Sequence, residues 1–141
     1  MQTFLPYNSF EKSLHCLDLK RLGKQRVEAW QIINTIHLKK KAWSNHPAVN
    51  MWRPYLFQLC VYYNKSLDVW AARKKKNIKL RKIVLSQLPS SWSKELPHFM
   101  GNQAFHDSHK SNLLRKHPRF YQAFGWQVPD NLPYIWPIKP C

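Results

Sequence analysis

Between residues 18 and 38 apolar side chains return every three or four positions, and that spacing commits the segment to a long amphipathic helix. Leu19, Leu22, Ala29, Trp30, Ile33 and Ile36 fall on one face, with Lys20, Lys24, Glu28, Gln31 and Thr35 opposite. The basic run Lys39–Lys41 then meets the negative end of the helix macrodipole. A second stripe of Leu56, Leu59, Cys60, Tyr63, Leu67 and Trp70 predicts a helix from Pro54 to about Lys75. Shorter helices are expected from an Asn8 or Ser9 cap through Cys16, over residues 78–88, and over 103–116 with at most one more turn after Pro118. The stretch holding Pro89, Pro97 and Gly101 reads as loop. Strand-like alternation is nearly absent, so the expected class is all-α.

Two segments lie outside that scheme. Pro6 disfavours a helical residue before it, so residues 1–7 should be extended. From Gly125 onward Pro129, Pro133, Pro137 and Pro140 rule out regular structure, while Trp126, Tyr134 and Trp136 give the tail something to pack with. The 141 residues fit one domain, 1–141, and 44% hydrophobic content is enough to build its core.

Charge narrows the partner. There are 23 Lys and Arg against 7 acidic residues, a net +16 whose self-repulsion a polyanion would offset, and nucleic acid is the expected partner. No run approaches the ~20 apolar residues that cross a bilayer, and no signal peptide is visible, so an intracellular protein is expected. Cys16, Cys60 and Cys141 are odd in number and widely spaced, which reads as reduced thiols.

Basic residues interleave with rings at several points: Arg21, Lys24 and Arg26 near Trp30, Arg53 beside Trp52, and Lys110, Arg115, Lys116 and Arg119 before Phe120 and Tyr121. Phosphate neutralisation plus flat rings suits a nucleic-acid groove, although lysine runs such as Lys39–Lys41 and Lys74–Lys76 equally suit solvated helix ends. Arg26 falls on the apolar face between Leu22 and Trp30, where its charge needs a partner: a phosphate, or Asp18 or Asp107 within the protein. Gly23, on the edge of that face, suggests close approach of backbone or ligand. His106, Asp107 and His109 sit at helical spacing and offer general acid–base chemistry, a phosphate contact or a structural role; a full metal ligand set is not evident, and no metal or other cofactor is expected.

Several blocks resemble the bacterial and viral branch of the pyrimidine-dimer DNA glycosylase (phage endonuclease V) family. They are the run from Leu17 to Glu28 (LDLKRLGKQRVE), His46-Pro47-Ala48-Val49 with Met51-Trp52-Arg53, and Ser108-His109-Lys110-Ser111 with Leu114-Arg115-Lys116. The opening Met1–Pro6 and the closing Leu132–Pro137 match as well. The resemblance implies a compact helical fold with the N-terminal segment threaded between helices. It also implies a backbone α-amine that attacks C1′ of a damaged nucleotide, releases the base and nicks the strand through a Schiff base. Such an amine acts only when deprotonated.

The chain departs from the family pattern at two places. Gln2 is too large for ordinary removal of the initiator Met, which leaves the Met1 amine as nucleophile. The position matching the family's catalytic Glu is Gly23, and Glu28, with Lys24 at i−4, reads as a surface ion pair. The expected catalytic set is therefore Met1, Arg26, Asp107 and His109. The expected DNA-binding set is Arg21, Lys24, Arg26, His46, Arg53, Lys110, Arg115 and Lys116. The expected function is a glycosylase with abasic-site lyase activity on damaged or modified pyrimidines in double-stranded DNA, acting as a monomer. A non-catalytic DNA- or RNA-binding protein on the same fold, and a metal-dependent nuclease using His106, Asp107 and His109, are the alternatives.

Overall fold

The computed structural model describes residues 1–74 and 79–137. Six α-helices run in the order α1 (Phe10–His15), α2 (Leu19–His37), α3 (Pro47–Trp52), α4 (Leu56–Lys74), α5 (Gln103–Lys116) and α6 (Pro118–Tyr121), and no strand occurs among the described residues. The class is all-α.

Three of the helices, α1, α3 and α5, start where the sequence supplies an acceptor for their unpaired amides. Ser9 Oγ accepts from Lys12 N–H at 3.1 Å to open α1. Asn102 Oδ1 accepts from Phe105 N–H at 3.1 Å to open α5. The helix at α3 is absent from the sequence reading, yet it has clear signals: Pro47 occupies the first turn, and His46 Nδ1 accepts from Ala48 N–H at 3.0 Å. Gly125, at φ +67°, turns the chain out of the last helical turn in a conformation that disfavours a side chain.

The expected helix over 78–88 does not form in its described part, 79–88, where only a single 3-10 turn spans Leu85–Gln87. Outside that turn, the backbone there bonds to α4 side chains. Asn64 receives the Ile83 N–H and donates to the Ile83 carbonyl, both at 2.8 Å, and Tyr63 Oη donates to the Arg81 carbonyl at 2.8 Å. Lys75, Lys76 and Cys141 lie outside the described residues, as does Pro140.

α2 and α4 pack against each other, and the core of the molecule is rich in aromatic rings. Trp52, Tyr55, Tyr62, Tyr63, Phe99 and Phe105 are all fully buried. Along α2 the buried positions are Leu22, Gln25, Ala29, Ile32, Ile33 and Thr35, while Leu19 is exposed. The stripe is thus rotated slightly from the expected one, and it carries a glutamine at its centre. The tail returns to the body as its rings foreshadow, with Trp126 Nε1 donating to Tyr7 Oη at 2.8 Å.

Candidate active site

Residues 2–6 are buried and extended, so their backbone groups need partners that no helix or sheet provides. Side chains from four helices, α2 to α5, hold the segment. Gln25, with no solvent exposure, accepts the Phe4 N–H at 2.7 Å and donates to the Gln2 carbonyl at 2.6 Å. Tyr62 donates to the Phe4 carbonyl at 2.9 Å, and Trp52 Nε1 donates to Thr3 Oγ1 at 2.8 Å. His109 Nδ1 accepts the Leu5 N–H at 2.9 Å. His106 Nε2 accepts the Gly101 N–H at 2.9 Å, so its Nδ1 carries the proton that reaches the Leu5 carbonyl at 2.7 Å. The segment is threaded between α2, α4 and α5 and fixed residue by residue.

This harness brings Met1 to a cavity of about 360 Å³. Its α-amine lies 3.9 Å from Glu28 Oε1, too long for a direct hydrogen bond but close enough for strong electrostatic coupling. The Gln2 backbone amide also points to Glu28. Burial pushes the Glu28 carboxyl above the usual carboxylate range, opposed by the Met1 amine, Lys24 and Lys116. Lys20, Arg21, Lys24 and Lys116 line the same cavity, so four side-chain cations surround one carboxylate. His46 is part of the wall, and desolvation plus the nearby amine lowers its pKa. Phe4, Tyr134 and Trp136 complete it with apolar surface. An amine, a carboxylate and a ring of cations can attack an electrophilic carbon, relay a proton and hold phosphates.

Of the residues expected to matter, Met1, Arg21, Lys24, His46 and Lys116 line this cavity. The others are placed elsewhere. Arg26 faces α4, with its guanidinium 4.1 Å from the centre of the Trp70 ring. Gly23 makes room for that same indole, since a Cβ there would sit 3.1 Å from a Trp70 ring atom. Neither expected carboxylate meets Arg26: Asp18 pairs with Arg21 at 3.2 Å and receives the Tyr121 hydroxyl, and Asp107 accepts from the Gln103 side-chain amide at 2.7 Å.

His109 is fully buried against Phe105 and Tyr134, and desolvation lowers its pKa to about 3, which favours the neutral ring. With both nitrogens of His106 and Nδ1 of His109 committed to backbone, the His-Asp-x-His cluster has no geometry for the nuclease alternative. Arg53 donates to the Ser44 carbonyl at 2.6 Å, Arg115 to the Asp130 carbonyl at 2.7 Å, and Lys110 covers the Tyr7 and Trp126 rings. These three fasten loops and tail.

The sequence reading missed Glu28 and Gln25. Glu28 has Lys24 one turn away and looks like a surface residue until another segment is laid across it. Gln25 could have been found, because it falls three residues after Leu22 and four before Ala29, inside the apolar stripe.

Comparisons with known proteins bear on this arrangement. Searches of curated proteins and of solved structures found no match. The profile described as pyrimidine dimer DNA glycosylase matches residues 1–82, which include the threaded segment, Gln25, Glu28 and His46. Lys116 and Tyr134, which also line the cavity, lie beyond the matched stretch. The match covers more than half of the 141 residues, and the chain belongs to the pyrimidine dimer DNA glycosylase family.

Proposed function

We propose that this protein is a DNA glycosylase with abasic-site lyase activity, acting as a single-domain monomer on a damaged or modified pyrimidine in duplex DNA. The observation that carries the reading is the Met1 amine 3.9 Å from Glu28 in a cavity rimmed by Lys20, Arg21, Lys24 and Lys116. In the proposed reaction the amine lone pair bonds to C1′ while the C1′–N1 bond breaks. That bonding pair departs with the pyrimidine, which takes up a proton. The nitrogen then loses a proton, and the C1′–O4′ bond opens with protonation of O4′, leaving a C1′ imine. Removal of a C2′ proton expels the 3′ phosphate and nicks the strand.

Glu28 is suited to shuttle the protons between nitrogen and O4′, because its raised pKa lets it hold and release a proton nearer neutrality than an ordinary carboxyl does. The surrounding cations hold flanking phosphates and favour the approach of the polyanion. Borohydride, which reduces an imine to a stable amine, provides the test. Wild-type protein should become covalently joined to abasic-site duplex DNA, in chelator as well as without it. Absence of both trapping and nicking, with DNA binding intact, would favour a binding protein built on the same fold.

A further inference from the structure

Trp43 combines two features that cost a protein stability. Its side chain is 67% exposed, more than any other large hydrophobic among the described residues. Its backbone is left-handed, at φ +65°, a conformation rarely adopted by bulky side chains. Lys39, four residues earlier, is also left-handed at φ +50°. The loop between α2 and α3 is nonetheless firmly braced: Ser44 N–H reaches the Lys41 carbonyl at 3.2 Å, His46 N–H reaches the Trp43 carbonyl at 2.9 Å, and Arg53 holds the Ser44 carbonyl. A hydrogen-bonded loop thus holds an indole out in solvent.

Its surroundings say what the indole could meet. Lys39, Lys40 and Lys41 are all exposed on the same loop. Trp43 and Lys40 form one side of a cavity of about 430 Å³ that Met1 also lines. The rings of Trp43, His46 and Trp136 follow one another edge-on at 6.0 and 6.1 Å, leading toward the cavity that holds Glu28. Two of the rings that neighbour basic residues in the sequence are not free to stack on bases. Trp52 has no exposure, and Trp30 packs on Tyr63 at 5.4 Å.

We infer that the loop of residues 38–45 is a wedge for duplex DNA. Trp43 inserts between base pairs beside the nucleotide presented to Met1, and Lys39–Lys41 bind the flanking phosphates. The inference rests on the proposed amine mechanism, which is what sets the damaged nucleotide at Met1. Reaching C1′ in a duplex requires unstacking, and an inserted ring that stacks on any base offsets that loss and kinks the helix by about 20–90°. Three adjacent lysines in a chain of net charge +16 favour this polyanion over an apolar protein partner.

The test separates bending from chemistry. An end-labelled duplex with a central tetrahydrofuran abasic analogue cannot form an imine, so energy transfer between its ends reads the kink alone. Wild type should raise the transfer at saturation, Trp43→Ala should not, and Trp43→Phe should restore it. On true abasic DNA, Trp43→Ala should lower the ratio of duplex to single-strand trapping rates by about ten-fold or more, as the loss of one stacking contact implies. Wild-type binding without a kink, an equal kink with Trp43→Ala, or an unchanged ratio would each overturn the wedge. A Trp43-dependent kink in a protein that never traps would leave the wedge standing and remove the amine mechanism.

Discussion

Replacing Gln25 with Leu removes the anchor of the threaded segment while keeping a side chain of similar size in the helix. Gln25 has no solvent exposure, and its amide serves two backbone groups, the Phe4 N–H at 2.7 Å and the Gln2 carbonyl at 2.6 Å. Tyr62 keeps its bond to the Phe4 carbonyl in the variant, so two groups are orphaned. Each buried orphan costs about 1–3 kcal/mol, which sums to about 2–6 kcal/mol, and the helix-propensity difference between Gln and Leu is too small to matter. Taking about 3 kcal/mol and about 2–4 °C per kcal/mol for a chain of this size, the melting temperature should fall by roughly 10 °C. Urea unfolding reads the energy directly, and borohydride trapping under folding conditions should fall as well, because the Met1 amine loses its fixed place over Glu28. A variant within about 0.5 kcal/mol of wild type, the size of an ordinary surface change, would refute the argument that these bonds hold the segment.

Other consequences follow from the same geometry. The His109 pKa is depressed to about 3, so below its unfolded value of about 6.5 the unfolded chain takes up a proton that the native chain refuses. Stability present above pH 6.5 is therefore lost as pH falls toward 3, at ~1.4 kcal/mol per pH unit for this group, with His106 shifted in the same direction. His109→Asn, whose Oδ1 can still accept the Leu5 N–H, should flatten that slope by about one proton in urea titrations at several pH values. Glu28→Gln should slow trapping by about 10²–10⁴-fold and abolish an acid limb that lies above the ordinary carboxylate range; a variant within a few-fold of wild type would remove Glu28 from the mechanism. Lys24→Ala and Lys116→Ala should each reduce the salt dependence of DNA binding by about one unit of slope, whereas Arg26→Met, stacked on Trp70, should destabilise the fold and leave the slope alone.

What could be read from the sequence was what is local. The periods of α2 and α4 and the 103–116 span of α5 are carried by neighbouring residues, and they appear in the structure nearly where expected. The segment at 79–88 failed because its partners, Tyr63 and Asn64, are some twenty residues away and compete for the backbone. Arg26 was seen as a charge on an apolar face, and in the structure its guanidinium lies over the Trp70 ring, which no local spacing announces. The site was the least legible part. Met1 was identified through resemblance alone, and Glu28 becomes a half-buried neighbour of the amine only once residues 1–6 cross α2. No periodicity along α2 can announce a segment that crosses it.

The central claim is that the nucleophile is the Met1 amine, and mass mapping of the borohydride-trapped protein tests it most directly. Digestion of the complex formed on abasic duplex DNA should place the sugar remnant on the peptide that begins at Met1. Acetylation of the N-terminus should abolish the adduct while DNA binding persists. An adduct on Lys20 or Lys24, or one that survives acetylation undiminished, would contradict the account.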